Sequence, residues 1–154
     1  MYAGRSESAL SRALLSSLLA LAACGERTEC EACMVGCLEP KSWDAKQEGW
    51  SERTRHYATL VADHTRANAL VRVARFRPYP NLEYRFIGCG DAGFADIDVV
   101  LYDADNTIIA RDIQIGRDPD VLLPSDTTGL ISVRMFAADL RADSGEAGVL
   151  VMAR

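Results

Sequence analysis

From residue 57 onward the chain alternates apolar and polar residues with a period of two, and this restricts what it can fold into more than any other feature. Leu82-Glu83-Tyr84-Arg85-Phe86 places its apolar side chains on one face and its charges on the other, the pattern of a half-buried strand. Ile97, Val99 and Leu101 alternate with Asp98 and Val100, and Ile131, Val133 and Met135 alternate with Ser132 and Arg134. Further strand-like runs lie at 58–62, 69–76, 107–113, 120–123 and 147–152. Between them stand Arg77-Pro78-Tyr79-Pro80-Asn81, Asp103-Ala104-Asp105-Asn106, Gly116-Arg117-Asp118-Pro119 and the stretch from Pro124 to Gly129, all rich in turn residues. Short strands punctuated every ~8–12 residues predict an all-β domain. The expected form is an antiparallel β-sandwich of about eight strands over 57–154; a small barrel is the alternative.

Ahead of this domain the period changes. KSWDAKQEGWSERTRH, residues 41–56, mixes helix formers with Trp43, Trp50 and a single Gly49. Ser42 suits a cap, and Trp43, Lys46, Gln47 and Trp50 fall at i, i+3, i+4 and i+7, which predicts one short helix laying its Trp side on the domain. The whole chain of 154 residues, 49% hydrophobic and 25% charged, is sized and balanced for one globular domain. Its formal net charge of −5 is the wrong sign for holding nucleic acid, so no nucleic-acid partner is expected.

The first residues carry a targeting pattern. Arg5 and Arg12 precede an uncharged run from Ala13 to Ala23, about half the ~20 residues that a membrane-spanning helix needs and the length of a secretory signal's apolar region. Leu21-Ala22-Ala23-Cys24 resembles the bacterial lipobox, in which diacylglycerol is attached to the Cys thiol and a dedicated peptidase cuts before it. The resemblance implies a cleaved signal peptide at 1–23, lipid attachment at Cys24 and a membrane partner reached through that anchor. Gly25, rather than Asp, beside Cys24 points to the outer membrane by analogy with the sorting rule of enteric bacteria. The mature chain would carry 15 basic and 21 acidic residues, a net charge of −6, once Arg5, Arg12 and Glu7 are removed.

Setting Cys24 aside leaves Cys30, Cys33, Cys37 and Cys89, an even number in an exported chain and hence a candidate disulfide set. Three connectivities are open; one bridge from the 30–37 cluster to Cys89 would staple a Cys-rich tether at 24–40 to the domain. The same cluster also admits a thiol-redox or metal reading. However, Cys30-x2-Cys33-x3-Cys37 lacks one ligand and one step of the ferredoxin run, and neither histidine stands at zinc-pairing distance.

Catalytic and metal motifs are sparse. Eleven of the thirteen Asp lie between 91 and 143, so calcium is the metal to weigh. Asp103-x-Asp105-x-Thr107 opens like an EF-hand loop, but Ile108 replaces its Gly and Gln114 its closing Glu. Asp91, Asp96 and Asp98 remain as carboxylates that could converge. His56 and His64 are the only imidazoles, and Asp63 beside His64 would face the opposite side of a strand. With no G-x-S-x-G elbow, H-E-x-x-H pair or phosphate-binding Gly loop, the expectation is no catalytic residue, no cofactor and no resident metal.

Residues Tyr84 to Asp91, YRFIGCGD, and Ala95 to Asp103, ADIDVVLYD, resemble bacterial pre-peptidase C-terminal-type domains. These are secreted jelly-roll sandwiches with a "y-x-f" strand, an acidic turn and a "D-x-D-x-x-L-Y-D" strand. The similarity spans roughly 68–152, with Asp112, Asp118-Pro119 and Gly129 to Phe136 (GLISVRMF) in the matching order. It implies a non-catalytic module. Relatives carry loop cysteines that this chain lacks at 92–95 and 138–147, which frees Cys89 for the tether. Together these readings predict a non-enzymatic envelope lipoprotein that displays a β-sandwich for binding or structural interaction with a protein or glycan of unknown identity. The alternative is a membrane-tethered thiol-redox or metal-binding protein using Cys30, Cys33 and Cys37.

Overall fold

A computed structural model describes residues 30–61 and 70–154. One helix, α1 (Cys30–Gln47), precedes eight strands: β1 (Ser51–Val61), β2 (Leu70–Phe76), β3 (Tyr84–Gly90), β4 (Phe94–Tyr102), β5 (Ile108–Arg111), β6 (Asp120–Leu123), β7 (Ile131–Leu140) and β8 (Ser144–Ala153). They form two four-stranded antiparallel sheets, in the order β1-β8-β3-β6 and β2-β7-β4-β5. This order, with the chain passing back and forth between the two sheets, is the double Greek key of a jelly roll.

The alternation seen in the sequence builds the core between the sheets. Phe86 of β3, Phe94, Ile97 and Leu101 of β4, Ile131 and Met135 of β7 and Val149 of β8 are almost wholly buried there, with Phe76 tilted against both Tyr84 and Phe86. Strand β8 departs from alternation: Ala147 to Ala153 is apolar at every position and every one is buried. The reason is that both faces of β8 are covered. Val149 and Val151 face the other sheet, whereas Leu150 and Met152 join Ile87 and Cys89 in a second core under Leu38 and Ala45 of α1 and Trp50.

The helix lies further towards the N-terminus than the pattern at 41–56 predicts, and the division into a 24–40 tether and a 41–56 helix is corrected accordingly. Residues 30–40 are helical, and Gly49 with φ +88 stands just past the helix end, a left-handed turn that glycine adopts without a Cβ clash. Strand β1 therefore begins at Ser51 rather than near 57. Ser42 is inside the helix, where its hydroxyl donates to Glu52 at 2.8 Å instead of capping. The proposed Trp face also fails, because Trp50 lies beyond the last turn: Trp43 is 66% exposed and Trp50 only 5%. Leu38, Ser42 and Ala45, at i, i+4 and i+7, form the buried stripe instead.

Candidate functional site

The chemistry that the sequence gathers around cysteine becomes a fastening between helix and sheet. Cys37 of α1 and Cys89 of β3 form a disulfide with Cα atoms 6.3 Å apart, closing 52 residues of chain. Cys89 is fully buried, and its neighbours Gly88 and Gly90 are part of the same strand. Gly148, paired with Cys89 on the adjacent β8, leaves space for Leu38: an added Cβ would lie 2.9 Å from its Cδ1. The bridge thus stands beside a close contact between helix and sheet. Asp118 lies beside it, its carboxylate and the two sulfurs within 4.8 Å of one another, and the same carboxylate pairs with Lys41 at 3.1 Å. With both sulfurs spent on each other, these three groups act as a covalent link plus an ion pair. Cys24 lies outside the described residues, as do the side chains of Cys30 and Cys33.

Along the rim of this layer, a groove of about 640 Å³ is lined by Glu48, Trp50, Arg85, Asp112, Asp120 and Leu122, among others. Arg85 on β3 bonds both Asp120 oxygens from Nε, at 2.9 and 3.0 Å, and reaches Glu48 at 2.5 Å. The hydrogen bonds that it donates to Asp120, then to Glu48, outweigh the cost of burial and hold its guanidinium charged. Arg154 lies over Trp50, 4.3 Å from the ring centroid, and bonds Glu83 at 2.6 Å. Each cation lining the groove already has an acidic partner, and carboxylates outnumber cations along it. The sequence reading missed this set, although Arg85 and Asp120 on strands in contact was the signal for it.

The carboxylates considered for calcium hold turns together. Asp91 accepts the backbone N–H of Gly93 at 2.7 Å and of Glu146 at 2.8 Å. Asp96 accepts that of Gly116 at 2.9 Å, and Asp103 those of Asp105 and Thr107. Asp98 is half-buried, and burial, then repulsion from Asp96 and Asp112, pushes its carboxyl up. Among the described residues, Asp91, Asp96 and Asp98 do not join in a ligand cluster. His56 sits on β1, where burial lowers its imidazole's proton affinity; His64 lies outside the described residues. No family model matches the chain, and no curated protein matches it significantly.

Proposed function

We propose that this chain is a non-enzymatic bacterial envelope lipoprotein, anchored through Cys24, that presents the β-sandwich at the membrane surface as a binding or structural module. The observation that carries the reading is the Cys37–Cys89 bridge. Disulfides of this kind belong to oxidising, extracytoplasmic compartments, which is where the Leu21-Ala22-Ala23-Cys24 signal would deliver the protein. The bridge also fixes the domain close to the anchor. Only residues 25–29 separate Cys24 from the start of α1, and five residues span at most ~18 Å. Acyl chains at ~0.8 kcal/mol per buried CH₂ would hold such a module on the bilayer without a spanning helix. The carboxylates of Asp91, Asp96 and Asp103 support a non-catalytic role, because each is engaged by backbone amides that shape a turn.

Replacing Cys24 by Ser tests the anchor. The expected result is an uncut precursor that takes up no labelled fatty acid. Acyl labelling and membrane fractionation unchanged in Cys24→Ser would overturn the assignment. Thiol titration of the exported, unreduced protein tests the redox and metal alternative: Cys37 and Cys89 should not react, and reaction at either one would favour that alternative.

A further inference from the structure

The outer face of the second sheet, away from both cores, carries an arrangement that the alternating pattern conceals. Arg72 and Arg75 are three residues apart, so a regular strand would send them to opposite faces. The register of β2 on β7 slips between Arg72 and Ala74, so that Arg72 faces Arg134 and Arg75 faces Ser132. Positions 132 and 134 share one face of β7, so the bulge brings both β2 arginines to the side of Arg134, the kind of re-aiming that bulges perform. Arg72 and Arg134 stand directly opposite, where side chains of like charge ~5 Å apart repel. Among the described residues, none of the three arginines has an ion-pair partner. Arg111, further across the same sheet, differs in that Asp98 feels its charge.

The three guanidinium-bearing side chains line one shallow cavity of about 140 Å³ together with Asn106, Ser132 and Leu130. Asp103 is the acid on its wall, and its Oδ1 is taken by the N–H groups of Asp105 and Thr107. Arg134 is fixed in place: its guanidinium stacks 3.9 Å from the Tyr102 ring centroid, its Nε donates to Ser132 Oγ at 3.4 Å, and its Nη2 donates to Asn106 Oδ1. Asn106 occupies the left-handed region, φ 66, in the turn that Asp103 closes. A non-glycine residue in that conformation marks a locally constrained turn, and here the turn delivers an amide oxygen to an arginine.

We propose that Arg72, Arg75 and Arg134 form an anion site that takes a phosphate group. Three planar, permanently charged forks match the several acceptor oxygens of a tetrahedral anion. At about 140 Å³ the cavity has room for a phosphate group. The group could come from free phosphate or from an anionic lipid headgroup, and the site itself does not depend on the anchor at Cys24.

The discriminating variant is Arg72→Gln in the full chain. Removing one of two facing cations should leave the melting temperature in phosphate-free buffer unchanged or higher, whereas phosphate binding should weaken roughly tenfold or more. Inorganic phosphate, titrated against sodium chloride of equal ionic strength, should raise the melting temperature of the parent and not that of Arg72→Gln or Arg134→Gln. Phosphatidylcholine vesicles with and without phosphatidylglycerol then separate the sources, with Cys24→Ser as the common background so that the leader contributes equally. A phosphate response with binding to the anionic vesicles that needs the arginines supports the headgroup; a phosphate response without it supports free phosphate. No phosphate response, a response that persists in both arginine variants, or vesicle binding alone would overturn the site.

Discussion

The two sheets have the same number of strands and share one core, yet their outer faces have been put to opposite uses. The face of β1-β8-β3-β6 is covered by α1, fastened by Cys37–Cys89 and ringed by ion pairs, among them Lys41–Asp118, Arg55–Glu52, Arg85–Asp120 and Arg154–Glu83. Among the described residues, the face of β2-β7-β4-β5 has no helix over it and carries arginines without such partners. The two strands at the centre of this contrast are written differently. β8 is apolar at every position from Ala147 to Ala153, whereas β7 alternates Ile131, Val133 and Met135 with Ser132 and Arg134. A covered face spends its polar groups on holding the cover down. An open face keeps them available.

The largest test of this contrast is removal of the fastening. Closing 52 residues should stabilise the chain by about 4 kcal/mol through the entropy of its unfolded state. The double variant Cys37→Ser/Cys89→Ser, which leaves no odd thiol, should lose about that much in urea denaturation. Hydrogen exchange should show the amides of α1 losing protection ahead of those of β4 and β7. A loss below about 1 kcal/mol with α1 still protected would mean that apolar packing of Leu38, Ala45 and Trp50 holds the cover unaided.

A smaller effect separates the two cores by how far each can yield. An alanine Cβ at Gly90 would run into the Ile97 Cδ1 atom and lie 3.0 Å from the Phe94 ring, both nearly inaccessible between the sheets. One at Gly148 meets Leu38 at 2.9 Å and the edge of the Tyr57 ring at 3.1 Å, on the helix side. Gly90→Ala should therefore cost about 1–3 kcal/mol by overpacking. Gly148→Ala should cost under about 1 kcal/mol, since a helix can lift by tenths of an ångström and the loss of unfolded-state freedom offsets part of the strain. Equal penalties in thermal unfolding would show that the helix is packed as rigidly as the sheets.

How much of this was legible in the sequence depends on whether a residue's neighbours in the chain determine its surroundings. The strand alternation at 82–86, 97–101 and 131–135 is local, and it locates β3, β4 and β7. The Cys89 staple was legible as a link to the 30–37 cluster, but the choice of Cys37 depends on the helix face that meets β3, and that face is set by Leu38 and Ala45 rather than by the tryptophans. The run at 58–62 marked the end of β1, but its first half was concealed because Glu52, Arg53 and Arg55 lie on a largely exposed edge strand, where charged helix formers are tolerated and blunt the edge. The bulge that aligns Arg72 with Arg75 is a property of pairing between β2 and β7, and nothing within residues 70–76 announces it.

The smallest expected effect concerns the polar tie between α1 and β1. Glu52 accepts hydrogen bonds from Arg55 at 2.5 Å and Ser42 at 2.8 Å, and Lys46 stands 3.8 Å away. The Arg55 hydrogen bond above all, against the opposing cost of burial, holds the Glu52 carboxyl down to about 2 from its ordinary 4.5. An acid whose folded value is depressed adds stability above its unfolded value and loses it as the pH falls through the folded one. Glu52 therefore helps at pH 7, and its contribution should disappear between about pH 4.5 and 2. Glu52→Gln should lower stability at pH 7 by under about 1 kcal/mol, as fits a partly exposed network, and should flatten the acid limb of stability against pH in that window. Urea midpoints measured from pH 7 down to pH 2 on parent and variant would show it: the two curves should converge at the acid end. Parallel curves, with the same gap at pH 2 as at pH 7, would mean that Glu52 acts through packing and that the cover on the first sheet owes nothing to this charge.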